Sequence, residues 1–280
     1  MENVCIYGNP TLDYIVFSDK RERIAYGGGV YYSSLPFLKS GKYEVSVYAV
    51  YSPRIHGHPV YRFSRGYQYS SRTTVFRLIY SDSSRVLFLE ERAPPLYPWI
   101  IHEEPCLTIV NPVFHEVNKS NLALIRIRSP ILAGDAQGFI RGVRSNMVIY
   151  ECSRYVIDSL RYFDIIHMDE VELKALTCMD DTYRALKELK DILGGTIVVV
   201  TNRTKPIHVL LGNTIETISL DDSLLVGDKT GAGDYFLGAL LKHVYAYSDF
   251  IKAVEKAHEE TSMWLKEKNA SSPPTTFLNY

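Results

Sequence analysis

Val226-Gly227-Asp228-Lys229-Thr230-Gly231-Ala232-Gly233-Asp234-Tyr235-Phe236-Leu237-Gly238-Ala239-Leu240-Leu241 joins a glycine-rich turn to an apolar helix. Gly231 and Gly233 remove side chains where the helix begins. Backbone N–H groups and the positive end of the helix dipole are left facing outward, an arrangement that binds a phosphoryl group. A carboxylate at that turn, Asp234, would not bind phosphate itself; it is placed to take a proton from a hydroxyl attacking phosphorus. The amides of Gly231, Ala232 and Gly233 would stabilise charge on the group in transit. A lone G-x-G reads equally well as an ordinary capped helix, so the flanking positions decide. No G-x-x-x-x-G-K-[ST] occurs in the chain, which excludes the P-loop as the source of the phosphate site.

Outward from this stretch, short apolar runs recur at Val4 to Tyr7, Val45 to Val50, Leu107 to Val110, Ile131 to Ala133, Ile165 to His167 and Ile197 to Val200. Polar, Gly or Pro residues follow each run. Between several of them lie segments with helical spacing, such as Val30 to Leu38, Val171 to Leu176 and Tyr183 to Leu193. Continuous apolar strands alternating with amphipathic helices predict an α/β fold with a mainly parallel sheet covered on both faces. Two regions break the rhythm, Tyr14 to Tyr26 and Thr73 to Arg92, where strand pairs replace helices. One hairpin turns at Ser81 to Ser84. These strands, within about 12–26 and 73–92, predict a small β-sheet lid over the carboxyl ends of the main strands; a surface excrescence or a homodimer contact is the competing reading. The chain, 1–280, reads as a single domain with no repeat, and only Ser271 to Pro274 reads as a loose tail.

The 280 residues are 46% hydrophobic and 22% charged, ordinary for a soluble globular protein, and no apolar run reaches bilayer length. Met1-Glu2-Asn3 opens without a signal-peptide pattern, so a cytoplasmic location is expected. A net charge of −1 offers no electrostatic reason for nucleic acid or an anionic membrane as partner, which leaves small molecules. Cys5, Cys106, Cys152 and Cys178 stand far apart with no C-x-x-C pair and are expected to be reduced, mostly buried thiols. His56-Gly57-His58 lacks nearby metal-binding partners and reads as a loop feature.

The full string resembles the D-x-T-G-A-G-D-x-F signature of PfkB (ribokinase-like) carbohydrate kinases, with matches at Asp228, Thr230, Gly231, Ala232, Gly233, Asp234 and Phe236. Weaker likenesses follow in the family's order along nearly the whole chain. Gly8-Asn9-Pro10-Thr11-Leu12-Asp13 resembles the first-strand exit, which implies acceptor binding by Asp13, with Asn9 beside it. Gly27-Gly28-Gly29 resembles the di-glycine that lets backbone approach the substrate. Asp135-Ala136-Gln137-Gly138-Phe139-Ile140-Arg141 is similar to the D-x-x-G-x-x-R segment and brings Gln137 toward the acceptor. Asp169-Glu170-Val171-Glu172 is similar to the N-x-x-E motif, with Asp in place of Asn, and implies Mg2+ held through water by Asp169 and Glu172. Thr201-Asn202-Arg203 leaves the strand that leads to the nucleotide loop in relatives, so Thr201 and Asn202, with Asp228 and Thr230, are implied as nucleotide contacts.

The resemblance implies a ribokinase-like fold and an ATP- and Mg2+-dependent transfer of the γ-phosphate to a hydroxyl of a small neutral polyol or sugar, with Asp234 as base. The run Val30-Tyr31-Tyr32-Ser33 departs from the Asn of many sugar kinases, and with the D-A-Q-G-F segment it looks most like myo-inositol kinases. A nucleoside or another sugar is the alternative acceptor. A catalytically silent, ligand-binding regulatory protein of the same fold is the alternative outside enzymes, against which the intact Asp234, Gly231 and Gly233 stand.

Overall fold

The computed structural model describes residues 2–81, 85–202, 206–219 and 228–271. Asp82 to Ser84 of the predicted hairpin turn, Arg203, Val226, Gly227 and the tail from Ser272 to Pro274 lie outside the described residues. Strand β1 (Glu2–Tyr7) runs into β2 (Thr11–Val16) and β3 (Glu22–Gly27), and β4 (Tyr43–Tyr51) and β5 (Ser64–Tyr69) follow the helix Gly29–Ser40. Next come β6 (Thr74–Tyr80), β7 (Arg85–Glu91), β8 (Leu107–Val110), β9 (Leu132–Asp135), β10 (Gly142–Arg144) and β11 (Met147–Ile149). The series ends with β12 (Ile165–Asp169), β13 (Ile197–Thr201), β14 (Ile207–Leu211) and β15 (Thr214–Ile218).

Nine of these form the large sheet, in the order β15-β14-β13-β12-β9-β8-β1-β4-β5. Pairing is parallel from β13 to β5, and antiparallel where β13 meets β14 and β14 meets β15. All six apolar runs are strands of this sheet, and the three helical segments are helices, Gly29–Ser40, Glu170–Thr177 and Thr182–Leu193. Alternation along β1 shows why the strands read as continuous apolar runs. Val4 and Ile6 pack with Phe37, Leu237, Leu240 and Val254 on one face. Cys5 and Tyr7 belong to the other face, with Leu122, Ile125, Leu173 and Leu189. Both faces are buried under helices, as a parallel sheet requires, and each such leucine contributes about 1.5–3 kcal/mol by burial.

The second sheet has the order β10-β11-β7-β6-β2-β3. It contains the predicted lid strands and adds β10 and β11, two three-residue strands too short to carry a periodic signal. Its own core is small, Ile15, Phe76 and Leu78 against Val113 and Phe114, and Ile24, Ile79 and Val143 stay exposed on it.

The expectation of reduced thiols is not met. Cys5 and Cys106 form a disulfide with their Cα atoms 6.0 Å apart, and so do Cys152 and Cys178 at 5.1 Å. Sequence separations of 101 and 26 residues hid both pairings, since contact here comes from parallel strand neighbours and a helix end. His58 is buried and its Nε2 shares a hydrogen bond of 2.9 Å with the Gly27 carbonyl, a loop-anchoring contact. No helix of the described residues is long and apolar enough to cross a membrane.

Candidate active site

Parallel strands bring their carboxyl ends to one edge of the sheet, and the crevice there is the usual ligand site of such folds. A cavity of about 730 Å³ opens at this edge, between the ends of β9, β12 and β13 and the inner face of the lid sheet. The helix Ala232–Ala246 starts in it. Its N-cap, Gly231, has φ of 81°, a left-handed conformation that a side chain would strain, and a Cβ there would lie 2.4 Å from the Tyr32 ring. The first helical bond runs from the Tyr235 amide to the Gly231 carbonyl, so the amides of Gly233 and Asp234 precede the intrahelical ladder. Ala232 differs from its expected part: its amide donates to the Lys229 carbonyl at 3.1 Å, closing the turn instead of facing a phosphate.

Asp234 projects from the first turn of that helix. Its Oδ1 accepts from Asn111 Nδ2 at 3.0 Å and from Gln137 Nε2 at 2.9 Å. Among the described residues no hydrogen bond reaches Oδ2. Burial, and secondarily the charge of Asp135, push its pKa up to about 6 against the pull of Asn111, Arg141 and His167. Gln137 is held in turn, because its Oε1 accepts from Arg141 at 2.6 Å while Arg141 also donates to the Val113 carbonyl at 2.9 Å and to Tyr150 at 3.2 Å.

Across the cavity, Asp13 on β2 is buried, and burial raises its pKa to about 6. Its Oδ1 has no hydrogen-bond partner among the described residues. A Cβ on Gly27 would stand 2.3 Å from Asp13 Oδ2, so that glycine makes room for the carboxylate from behind, while Gly28 and Gly29 line the cavity itself. Asn9 departs from its predicted place. It is 1% exposed, does not line the cavity, and its Oδ1 accepts from the Val50 amide at 2.9 Å, pinning β1 to β4. The preference of Asn for satisfying nearby backbone groups explains why a motif position turned inward.

On the other flank, Thr201, Asn202, Asp228, Lys229 and Thr230 line the same cavity. Thr230 turns toward Asp228: its main-chain N–H donates to Asp228 Oδ1 at 2.9 Å. Burial opposes the ionisation of Asp228, yet hydrogen bonds from Thr230 and the nearby Lys268 hold its pKa at about 2. Asp228 also meets Arg23 of the lid at 3.3 Å and Lys268 at 3.1 Å. Asp169 and Glu172 form a capping box: Glu172 N donates to Asp169 Oδ1 and Asp169 N to Glu172 Oε2, each at 2.8 Å. One oxygen of each carboxyl remains outside the box. Burial, followed by the charges of Asp169 and Asp135, pushes Glu172 well above the usual carboxylate range. A buried carboxyl beside two others is relieved by a cation, so this wall fits a divalent ion or its water shell.

Residues not singled out from the sequence as site residues include Asn111, Arg141, His167 and Tyr32. Asn111 follows β8 directly, and its place at the carboxyl end of an inner parallel strand was the signal that could have found it.

No family model and no curated protein matches the chain. Solved structures do. A pyrophosphate-dependent kinase in the ribokinase family, described in complex with sulfate, superposes with a TM-score of 0.81 and 23% identity over 94% of this chain and 95% of that one. A fructokinase from Vibrio cholerae O395 gives 0.72 and 16% over 96% and 99%, respectively. A ribokinase from Thermotoga maritima gives 0.71 and 14% over 95% and 93%. The chain therefore has the ribokinase fold, an α/β sheet with a small β-sheet lid, as the strand pattern predicted.

Proposed function

We propose that the protein is a kinase that transfers a phosphoryl group from a phosphoanhydride donor to a hydroxyl of a small polyol or sugar, with Asp234 as the general base. One observation carries this reading. Asp13 Oδ1, a buried carboxylate oxygen with no hydrogen-bond partner among the described residues, lines the same cavity as Asp234, whose Oδ2 accepts no hydrogen bond from them. Buried polar groups are normally paired, so this carboxylate oxygen facing the base across the cavity marks a place for a ligand.

The acceptor binds through Asp13, which accepts its hydroxyls, and the attacking hydroxyl lies at Asp234 Oδ2. Asn111 and Gln137 keep Asp234 in one rotamer, and a pKa of about 6 suits a base at neutral pH. The amides of Gly233 and Asp234 and the dipole of their helix hold the transferred group. Mg2+, held by Asp169 and Glu172 through water, would neutralise charge on the donor phosphates. Thr201, Asn202 and Thr230 position the donor. ATP is the donor read from the sequence, and pyrophosphate shares the same anhydride chemistry. One solved structure of similar fold is described as a pyrophosphate-dependent kinase complexed with a pyrophosphate analog and myo-inositol, which favours myo-inositol as acceptor and adds pyrophosphate as donor. A second acceptor class is favoured by Arg85. It lines the cavity from the lid with no ion pair among the described residues and lowers the Asp13 pKa, a lesser effect than burial, so it would meet an acceptor carrying an anionic group.

ATP and pyrophosphate, each with Mg2+, are assayed against inositols, pentoses, hexoses, fructose phosphates and nucleosides. Turnover with myo-inositol ahead of the rest is expected. Preference for a fructose phosphate assigns Arg85 its anion, and no turnover with any pair removes the kinase reading.

A further inference from the structure

A buried polar chain runs along the wall of the cavity. His167, on β12, is 3% exposed, and both its ring nitrogens are engaged. Nδ1 bonds Asp135 Oδ2 at 2.7 Å and Nε2 bonds Thr201 Oγ1 at 3.0 Å. A carboxylate only accepts, so Nδ1 carries a proton, and in the neutral ring Nε2 accepts from the Thr201 hydroxyl. Asp135 continues the chain, because its Oδ1 accepts the Gln137 amide at 2.9 Å and Gln137 Nε2 donates to Asp234. The sequence Thr201, His167, Asp135, Gln137, Asp234 thus links the donor flank to the base without a gap. The same ring backs the phosphate turn: a Cβ on Gly233 would lie 3.1 Å from His167 Cε1.

Sheet pairing places His167 opposite Asp135 and Asp169 opposite Thr201, so strand register sets the His167–Asp135–Thr201 part of the chain, while Gln137 and Asp234 stand on helices. The neighbouring positions Ile166 and Met168 are fully buried and apolar. The side chain at 167 points to the opposite face from these two, toward Asp135, Thr201 and the Phe236 ring, where burying an imidazole and a carboxylate incurs a desolvation cost. Stability alone does not account for this pair.

We propose that His167 is a positioning residue that couples the donor flank to the base: its Nε2 sets the Thr201 hydroxyl for the donor, and its Nδ1 holds Asp135, and through it Gln137, in the arrangement that orients Asp234. The inference rests on the kinase reading. The two bonds are separable, because an Asn amide reaches the place of Nδ1 and a Gln amide that of Nε2. His167→Asn keeps the bond to Asp135 and loses Thr201, so KM for the donor rises about fivefold with kcat nearly unchanged. His167→Gln keeps Thr201 and loses Asp135, so kcat falls about tenfold with donor KM nearly unchanged. His167→Phe shows both changes. Donor affinity is measured separately by calorimetry with Mg·ATP and Mg·pyrophosphate, and melting temperatures show that the variants are folded. Active wild type with Asn and Gln variants that melt lower but keep every kinetic constant overturns the coupling while the kinase reading stands. Variants in which donor KM and kcat always move together overturn it as well. A wild type that neither turns over nor binds a donor overturns both.

Discussion

Asp234 and Asp13 face one cavity from opposite walls, and burial pushes both carboxyls up to about 6, yet they are held in different ways. Asp234 stands on a helix packed into the large sheet, with two amides fixing one oxygen and a buried polar chain behind them. Asp13 stands on a strand of the small second sheet, backed by the space a missing Gly27 side chain leaves, and its Oδ1 has no partner among the described residues. On the proposed reading, Asp234 as base must already point the right way before substrate arrives, which the two amides on its Oδ1 provide. On the same reading Asp13 is an acceptor clamp, which gains by being completed only when the acceptor supplies the missing bonds.

The largest effect is expected at the Asp234 wall. Asp234→Asn keeps both amide contacts to Oδ1 and lowers kcat by about two orders of magnitude or more, as loss of a positioned base does. The raised pKa adds a sign test. A carboxyl raised in the folded state contributes stability that is present below its unfolded pKa and is lost as pH rises through about 6. At pH 8 the charge therefore opposes folding. Asp234→Asn should melt no lower than wild type at pH 8, with any advantage shrinking as the pH is lowered to 5. A lower melting temperature at pH 8 would show that Asp234 is a structural group.

The lid wall should respond differently. Asp13→Ala is expected to raise KM for the acceptor and lower kcat together, with kcat/KM down about ten- to hundredfold, while slow donor hydrolysis stays almost untouched. Equal loss of hydrolysis would move Asp13 to the donor flank. A third measurement treats the walls together. Below about pH 6 protonation of Asp234 removes the base and protonation of Asp13 weakens the clamp, so kcat/KM should fall at least about tenfold between pH 7 and 5. A flat profile over that range would contradict the assignment of both carboxyls.

The smallest effect on rate separates the two cores. Leu240→Ala, in the fully buried face under the large sheet, should cost about 2–5 kcal/mol in stability and leave kcat unchanged below the melting transition. Leu78→Ala, in the lid cluster and on the cavity wall, should cost about 2 kcal/mol and raise acceptor KM a few-fold. Denaturant melts with initial rates on the same samples distinguish these outcomes. If Leu78→Ala left acceptor KM alone, the lid would be a cover without a role in binding.

The sequence by itself determined the parts whose signal is local. Six apolar runs became strands of the large sheet, because continuous burial on both faces leaves no room for alternation, and the glycine turn before Asp234 announced a bare helix start. The lid was legible as strand pairs, apart from β10 and β11, which are too short to show a period. Tertiary structure alone decided which polar groups meet. Asn9 turned away to hold the Val50 amide, and the Ala232 amide closed its own turn. Asn111 and Gln137 converged on Asp234 from 123 and 97 residues away, His167 found Asp135 and Thr201 through strand register, and four cysteines without a motif paired across the fold. The reason is physical. Periodicity and turn chemistry act over a few residues and survive in one dimension, whereas a hydrogen bond between side chains depends on which strands lie side by side and where each one ends.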